Sequence, residues 1–227
     1  MPASNRVLHL TKLHLAGADE LRQLIEHSVS THPPDSTTPL HIAGLPPDQY
    51  DLVQHLLPQQ RTQAAVLMPI IVRPEGLNLL FTQRATHLRR HAGQISFPGG
   101  RVEATDDGPL SAALRETEEE IGLSRQYVQA VGYLAPHLIF TGYCVTPVVA
   151  FVRPGFELRL DPGEVAETFE APLSYFLDPI HHLARERALG DIMTRVYDLP
   201  FGERHIWGAT AGIIMSLYRS LIQQATP

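Results

Sequence analysis

The chain has 227 residues, of which 44% are hydrophobic and 19% charged, and this balance is ordinary for a soluble protein with one well-buried domain and room for an extension. Its net charge of −6 argues against a nucleic-acid-binding protein, which would carry a basic excess. The single cysteine, Cys144, excludes an intrachain disulfide, and the longest apolar run is far shorter than the ~20 residues that span a bilayer. Because the N-terminus also lacks a signal-peptide pattern, we expect a cytoplasmic protein that binds neither nucleic acid nor membrane.

Residues 1–62 are predicted to form a helical N-terminal extension that precedes the main domain, residues 63–227. Apolar residues at helical spacing predict a first helix over 20–29. A second helix is predicted over 47–57, after a loop rich in proline and threonine. Nothing in this segment points to chemistry, so we expect its helices to cover one face of the main domain or to mediate a homodimer.

The pattern changes to strands after residue 62. Residues 64–72 form an apolar run typical of a strand buried on both faces, and a second strand is predicted over 77–82. The following loop, residues 83–94, carries three arginines and two histidines and precedes the turn Pro98-Gly99-Gly100. Such a loop favours either contact with phosphate groups, which arginine binds bidentately, or ion pairing with an acidic neighbour.

A helix is predicted after this turn and an acidic loop. Asp107 or Gly108 is the expected N-cap, Pro109 suits the first helical position, and Gly122 suits the left-handed residue that ends a helix. Its inner face is predicted from residues at helical spacing: Leu110, Ala113, Leu114, Thr117 and Ile121.

The other face of this helix carries Glu116, Glu119 and Glu120 at spacings i, i+3 and i+4, so their carboxylates are predicted to converge. Converging carboxylates are the oxygen ligands that a hard divalent cation prefers. A solvated acidic face is the alternative, and it is the usual one for an isolated run of glutamates. We favour a metal site because the Gly-Gly turn lies at a defined distance and could bring a backbone carbonyl to the same ion.

Further strands are predicted after the helix, over 128–135 and 145–152, with a short one over 158–160. Residues 180–188 are expected to be helical or loop-like, and residues 193–199 to form a late strand.

The C-terminal helix is predicted to open at 205–211, with Trp207 as a core anchor rather than a pocket wall. The order strand, strand, loop, helix, strands, helix favours a single α/β domain with a mixed β-sheet between helical layers.

The helix segment resembles a known family. Residues 115–123, RETEEEIGL, match the second half of the Nudix box, R-E-U-x-E-E-x-G-U, where U is bulky and apolar and Thr117 is a mild departure. The first half differs, because Asp106 replaces a glutamate and one extra loop residue precedes Arg115. We interpret this difference as a subfamily trait, since the helix half of the box carries the metal chemistry.

The basic loop carries a second resemblance. Residues 80–100 are similar to the extra motif of the coenzyme A pyrophosphatases within the Nudix superfamily, L-L-T-x-R-S-x3-R-x3-G-x3-F-P-G-G. Phe81 and Ala85 depart from it, and the matching positions are Thr82, Arg84, Arg89, Gly93, Phe97, Pro98, Gly99 and Gly100. This resemblance implies that Arg84, Arg89, Gly93 and Phe97 contribute to substrate binding.

Residues 164–173 resemble the Nudix segment in which a loop glutamate returns to the metal site. Glu164 and Glu167 are therefore the candidates for a distant carboxylate that binds a second metal or takes a proton from water. The sequence does not choose between them, and two exposed acids without this role are the alternative for either one.

The resemblance implies a Nudix-type α/β/α sandwich over roughly residues 63–222, and hydrolysis of coenzyme A or its derivatives to 3′,5′-ADP and 4′-phosphopantetheine. It implies that Glu116, Glu119, Glu120 and the Gly100 carbonyl hold Mg²⁺ or Mn²⁺, while Arg115 orients the carboxylates. A Nudix enzyme for ADP-ribose, NADH or a nucleoside triphosphate is one alternative. A catalytically silent Nudix ligand sensor is the other.

Overall fold

The computed structural model describes residues 13–88 and 91–225. Its helices are α1 (Ala18–Ser28), α2 (Tyr50–Val53), α3 (Pro109–Ile121), α4 (Leu173–Phe176) and α5 (Gly208–Ala225). Its strands are β1 (His41–Ile42), β2 (Thr62–Arg73), β3 (Gly76–Arg84), β4 (Ile95–Ser96), β5 (Gly99–Arg101), β6 (Val128–Tyr133), β7 (His137–Leu138), β8 (Tyr143–Val152), β9 (Val165–Pro172), β10 (Leu183–Leu189), β11 (Ile192–Phe201) and β12 (Arg204–Trp207).

The main sheet is mixed, as predicted, and β2 lies at its centre. β2 pairs in parallel with β8 along ten residues, from Thr62 opposite Tyr143 to Ile71 opposite Val152. On its other side β2 pairs antiparallel with β3, and β5 also joins it. The path through the sheet is β1-β7-β8-β2-β3-β4, with β6 on β8 and β9 on β3, while β10, β11 and β12 form a separate three-stranded sheet.

The apolar run in β2 is buried on both faces, because each face packs against helices. Ala65 and Leu67 share a cluster with Ala112 and Ala113 of α3. Met68, on the opposite face, belongs to the large cluster that also contains core residues of α1 and α5. Side chains that alternate along one strand thus contact two helical layers, and the α/β/α sandwich is confirmed.

The segment before β2 contributes to the same core. Leu21 and Ile25 of α1 are fully buried in the cluster that contains Leu217 of α5, and β1 extends the main sheet by pairing with β7. α1 spans Ala18–Ser28 instead of 20–29, and the second predicted helix is the short α2 with a 3₁₀ turn on each side. Residues 1–12 of the predicted extension lie outside the described residues.

The region after β9 differs most from the expectation. Residues 180–188 contain strand β10 rather than a helix or loop, and its side chains are almost all exposed, so no alternating apolar pattern marks it. The predicted start of the C-terminal helix is also wrong, because residues 205–207 belong to β12. Gly208, with a φ of 63°, forms the break between that strand and α5.

The short strand predicted over 158–160 does not form. The amides of Arg159 and Asp161 instead donate hydrogen bonds to the carbonyls of Ile121 and Glu120, at 2.8 and 2.9 Å. This segment therefore satisfies the C-terminal end of α3, whose last carbonyls have no partner within the helix. Among the described residues, no helix combines the length and apolar character needed to cross a membrane.

Candidate active site

Helix α3 begins and ends as the sequence predicts. Gly108 is the N-cap, Pro109 is the first helical residue, and Gly122 ends the helix with a φ of 67° while its amide donates to the Glu118 carbonyl. Three of the predicted inner residues, Ala113, Thr117 and Ile121, are fully buried, and Leu110 and Leu114 are partly buried. These contacts hold the opposite, acidic side of α3 against β5 and the Gly-Gly turn.

Glu120 is the most buried carboxylate of the three on α3, with a side chain that is only 5% exposed. It accepts a hydrogen bond of 3.2 Å from the Gly99 amide. Burial raises the pKa of Glu120 to about 8, and the charge of Glu164 adds to the rise, whereas the Gly99 amide and the Arg84 guanidinium oppose it. Glu120 is thus a buried acid whose charge a nearby cation would stabilise.

Glu116 lies directly against the backbone of Gly100. A Cβ atom added to Gly100 would stand 2.4 Å from the Glu116 carboxylate carbon, so a side chain at this position would displace that carboxylate. Burial raises the pKa of Glu116 above its ordinary value, with Arg115 acting in the opposite direction. Glu119, in contrast, is 59% exposed. The absence of a side chain at Gly100 is therefore what admits Glu116 to this turn.

Arg115 connects the carboxylates. Its Nη1 donates to Glu116 and to Glu119, each at 3.0 Å, and its Nε and Nη2 donate to the two oxygens of Asp106 at 3.2 and 3.0 Å. Hydrogen bonds from Arg115 lower the pKa of Asp106 below its usual range. Asp106 therefore contacts Arg115 with both carboxylate oxygens, although its side chain is shorter than the glutamate of the Nudix box. The loop before the helix is one residue longer than in the box.

The two candidates for the distant carboxylate lie in different surroundings. Glu164 stands close enough to Glu116 and Glu120 that its charge raises the pKa of both. Glu167 instead forms an ion pair of 2.9 Å with Arg204 of β12. Glu164 thus lies near the acidic face of α3, whereas Glu167, on β9 of the main sheet, pairs with an arginine of the three-stranded sheet.

The basic loop meets α3 through Arg84. The Nη1 atom of Arg84 lies 3.9 Å from Glu120 Oε1, and the buried Nε atom of Arg84 has no hydrogen-bond partner among the described residues. Gly93, with a φ of 69°, turns the loop back so that its amide donates to the Arg84 carbonyl. Arg89, also predicted to bind substrate, lies outside the described residues.

Phe97 lies at the boundary of core and cleft. Its ring stacks on Phe81 with 5.1 Å between centroids, and the residue is only 3% exposed. It is one wall of a mostly apolar cleft of about 470 Å³ that also reaches Arg84 and Gly99. A cleft of this volume is suited to a small organic ligand.

Another part of the cleft wall was not predicted from the sequence. It includes Arg187 of β10 and Trp207 of β12, so Trp207 is a wall of the cleft rather than a core anchor. Its position follows from the three-stranded sheet, and the exposed sequence of β10 carries no pattern that predicts that sheet.

The acidic face has the donor chemistry for a divalent cation, but it is not arranged as a finished site. Within 13–88 and 91–225, no three His, Cys, Asp or Glu side chains stand together as a group that could hold a metal ion. Arg115 binds Glu116 and Glu119, and the Gly99 amide binds Glu120. Carboxylate oxygens beside a backbone turn remain the set that Mg²⁺ and Mn²⁺ prefer, and a bound cation would offset the burial of Glu120.

Comparisons with known proteins find a matching family model and similar sequences. A sequence model of the family described as NUDIX domain matches residues 61–188. The chain is 45% identical over 165 residues to "Uncharacterized Nudix hydrolase NudL" of Shigella flexneri serotype 5b (strain 8401), a match that covers 70% of this chain and 83% of the relative.

A second relative, the protein of the same name from Escherichia coli (strain K12), is 46% identical over 160 residues, or 68% of this chain and 80% of the relative. Among solved structures, the MutT protein from Methanosarcina mazei Go1 is similar with a TM-score of 0.47 and 16% identity, over 75% of this chain and 99% of that one.

Proposed function

The chain belongs to the Nudix family of hydrolases, and within that family we propose that it hydrolyses the pyrophosphate bond of coenzyme A or its derivatives, giving 3′,5′-ADP and 4′-phosphopantetheine or its acyl form. The observation that carries this proposal is the 3.9 Å approach of Arg84, which lines the cleft, to Glu120. It joins an arginine of the coenzyme A motif to a carboxylate of the Nudix box, so one pyrophosphate group could meet both.

We propose that Glu116, Glu119 and Glu120, with the carbonyl of Gly100, hold Mg²⁺ or Mn²⁺. Such an ion, when bound, neutralises charge on the phosphate oxygens and lowers the pKa of coordinated water. Two observations support this assignment: the Glu116 carboxylate fits against the bare backbone of Gly100, and Glu120 is buried beside two further acids.

The side chains of the chain itself would then position the reactants. Arg115, fixed by Asp106, holds Glu116 and Glu119 in place and is itself only 22% exposed, so its role is to orient the carboxylates rather than to bind substrate. The buried and unpartnered Nε of Arg84 leaves that guanidinium a free donor for a phosphate oxygen. Glu164, which faces the acidic group, is the candidate to take a proton from the attacking water.

The loop supports binding in two further ways. Gly93 allows the reversal that returns the chain to Arg84, and Phe97 offers an apolar edge to the cleft. We propose that Arg89, which the same motif includes, adds a second phosphate contact. Most of the cleft wall is apolar, which suits the pantetheine part of the substrate better than a second charged nucleotide.

The experiment is to incubate the protein with coenzyme A, with and without Mg²⁺ or Mn²⁺, and to identify the products by mass spectrometry. Metal-dependent formation of 3′,5′-ADP and 4′-phosphopantetheine is the expected result, and the Glu120→Gln variant should form both products several orders of magnitude more slowly. Cleavage of ADP-ribose, NADH or a nucleoside triphosphate but not of coenzyme A would overturn the substrate assignment. Cleavage of none of them would favour a ligand sensor.

A further inference from the structure

The three-stranded sheet presents one face to the cleft. Along an antiparallel pair, residues directly opposite each other project to the same side. Arg185 lies opposite Val196, and Asp198 lies opposite Trp207. These four residues line a smaller cavity of about 240 Å³ together with Glu186, Arg187 and His205. Arg187 and Trp207 also line the main cleft, so the two cavities share a wall.

Some of the charged side chains on this face form ion pairs, and one arginine does not. Asp198, with a side chain that is 5% exposed, forms ion pairs with both Arg185 and His205, the latter at 3.2 Å. Arg187 forms no ion pair with any residue of 13–88 or 91–225. Glu186 also lines the smaller cavity, but among the described residues it forms no ion pair with Arg187. Arg187 is therefore the cation on this face whose charge is not matched.

Arg187 is held by an aromatic ring rather than by an acid. Its guanidinium carbon lies 3.8 Å from the centroid of the Trp207 ring. A guanidinium stacked in this way is fixed in orientation, while its N–H groups at the edge stay available to an anion. The pair has the form of a phosphate-binding site: a fixed, unpaired fork of donors that borders a cavity.

Resting on the proposed function, we propose that Arg187, held on Trp207, binds the 3′-phosphate of coenzyme A. The substrate carries two separate anionic groups, a pyrophosphate and a phosphomonoester, and within residues 13–88 and 91–225 the guanidinium groups that line the cleft are those of Arg84 and Arg187. Arg84 lies beside the Nudix carboxylate Glu120, whereas Arg187 forms no ion pair and stacks on Trp207, so Arg187 is the described arginine of the cleft assigned to the phosphomonoester. Arg187 thus selects substrates with a 3′-phosphate over ADP-ribose, NADH and 3′-dephospho-coenzyme A.

A binding measurement tests this without relying on catalysis. Trp207 is the single tryptophan of the chain, so its emission reports directly on the proposed site. Adenosine 3′,5′-bisphosphate and 5′-AMP are titrated into the protein, with excitation at the red edge of the indole band. The bisphosphate should change the emission and bind roughly ten- to a hundredfold more tightly, the range of a charge-assisted contact. In Arg187→Met the two affinities should become equal.

Kinetics test the same contact in turnover. For the wild type, kcat/KM should be roughly ten- to a hundredfold higher with coenzyme A than with 3′-dephospho-coenzyme A. Arg187→Met should remove this preference by lowering only the coenzyme A value, and Arg187→Lys should restore part of it. Arg195→Gln is the matched control, because Arg195 lies on the opposite face of the same sheet and pairs with Asp48.

Two results would overturn the inference. One is equal affinity of the wild type for the bisphosphate and 5′-AMP. The other is an Arg187→Met variant whose kcat/KM falls to the same extent with coenzyme A and with 3′-dephospho-coenzyme A. Either would move 3′-phosphate binding elsewhere, for example to Arg89. Failure of the proposed function looks different. In that case coenzyme A and its dephospho form are both left uncleaved, while the fluorescence titration still decides whether Arg187 binds the phosphomonoester.

Discussion

The guanidinium of Arg84 lies 3.9 Å from the carboxylate of Glu120, and this approach joins two motifs that are separate in sequence. The Arg84 side chain comes from the end of β3, where the ladder to β9 shifts register, and Glu120 comes from the last turn of α3. The Gly99 amide also donates a hydrogen bond to the Glu120 carboxylate. A phosphate group bound beside Arg84 would therefore meet a positive donor and the acidic face together.

Replacing Glu120 by glutamine should lower turnover by several orders of magnitude while leaving the fold intact. The neutral side chain can still accept a hydrogen bond from the Gly99 amide, but it loses the charge needed to bind a cation. A bound cation stabilises the transition state by several kcal/mol, so its loss should lower kcat by about 10²–10⁴-fold. Steady-state rates with Mg²⁺ and thermal melting would be compared. Glu118→Gln is the control, because Glu118 pairs with Arg125 and not with the acidic group. Unchanged turnover in Glu120→Gln would remove Glu120 from the site.

Asp106→Asn should weaken metal binding. Asp106 accepts two hydrogen bonds from Arg115, and Arg115 in turn donates to Glu116 and Glu119. Removing the charge of Asp106 therefore leaves Arg115 less firmly held, and with it the two glutamates, although none of these three residues is substituted. Loss of such an orienting partner costs about 10–100-fold in metal affinity. Titration with Mn²⁺ measures it, with the exposed neighbour variant Asp107→Asn as control. Equal Mn²⁺ affinity in both variants would contradict the role of Asp106.

Local signals explain which parts of the site could be predicted from sequence. Pro109 and Gly122 determine the ends of α3 through their own backbone preferences, and the apolar run of β2 needs two covered faces. Helical spacing placed the glutamates on one side of α3. It could not show that Glu120 is buried and Glu119 exposed, because that difference depends on where the Gly-Gly turn packs.

Contacts between distant segments explain the rest. Glu164 and Glu167 are three residues apart, and only the pairing of β9 with β3 and the position of Arg204 distinguish them. The three-stranded sheet was missed because β10 exposes nearly every side chain, so its partner β11 rather than its own pattern defines it. The place of Trp207 in the cleft wall was not predicted for the same reason, because Trp207 lies on β12 of that sheet.

Glu164→Gln and Glu167→Gln form a matched pair. We expect Glu164→Gln to lower kcat by about 10²–10⁴-fold, the usual contribution of a general base, because this carboxylate faces Glu116 and Glu120. Glu167→Gln should change kcat little and should cost at most about 1 kcal/mol of stability, since it breaks only a partly exposed ion pair with Arg204. Rates across pH would be measured for both. A large loss in Glu167→Gln alone would reverse the assignment.

Acidification should destabilise the fold through His137. The ring is fully buried in β7, its Nε2 lies 3.0 Å from Ser216 Oγ, and burial lowers the pKa of His137 well below its ordinary value. Below about pH 6.5 the unfolded chain binds a proton that the folded protein excludes, so the free energy of unfolding falls by up to about 1.4 kcal/mol per pH unit for this group. His137→Gln keeps a polar group beside Ser216 but does not titrate. The free energy of unfolding, measured with urea at pH 7.5 and about pH 5.5, should therefore fall less on acidification in the variant than in the wild type. An equal fall in both proteins would exclude His137 as the cause.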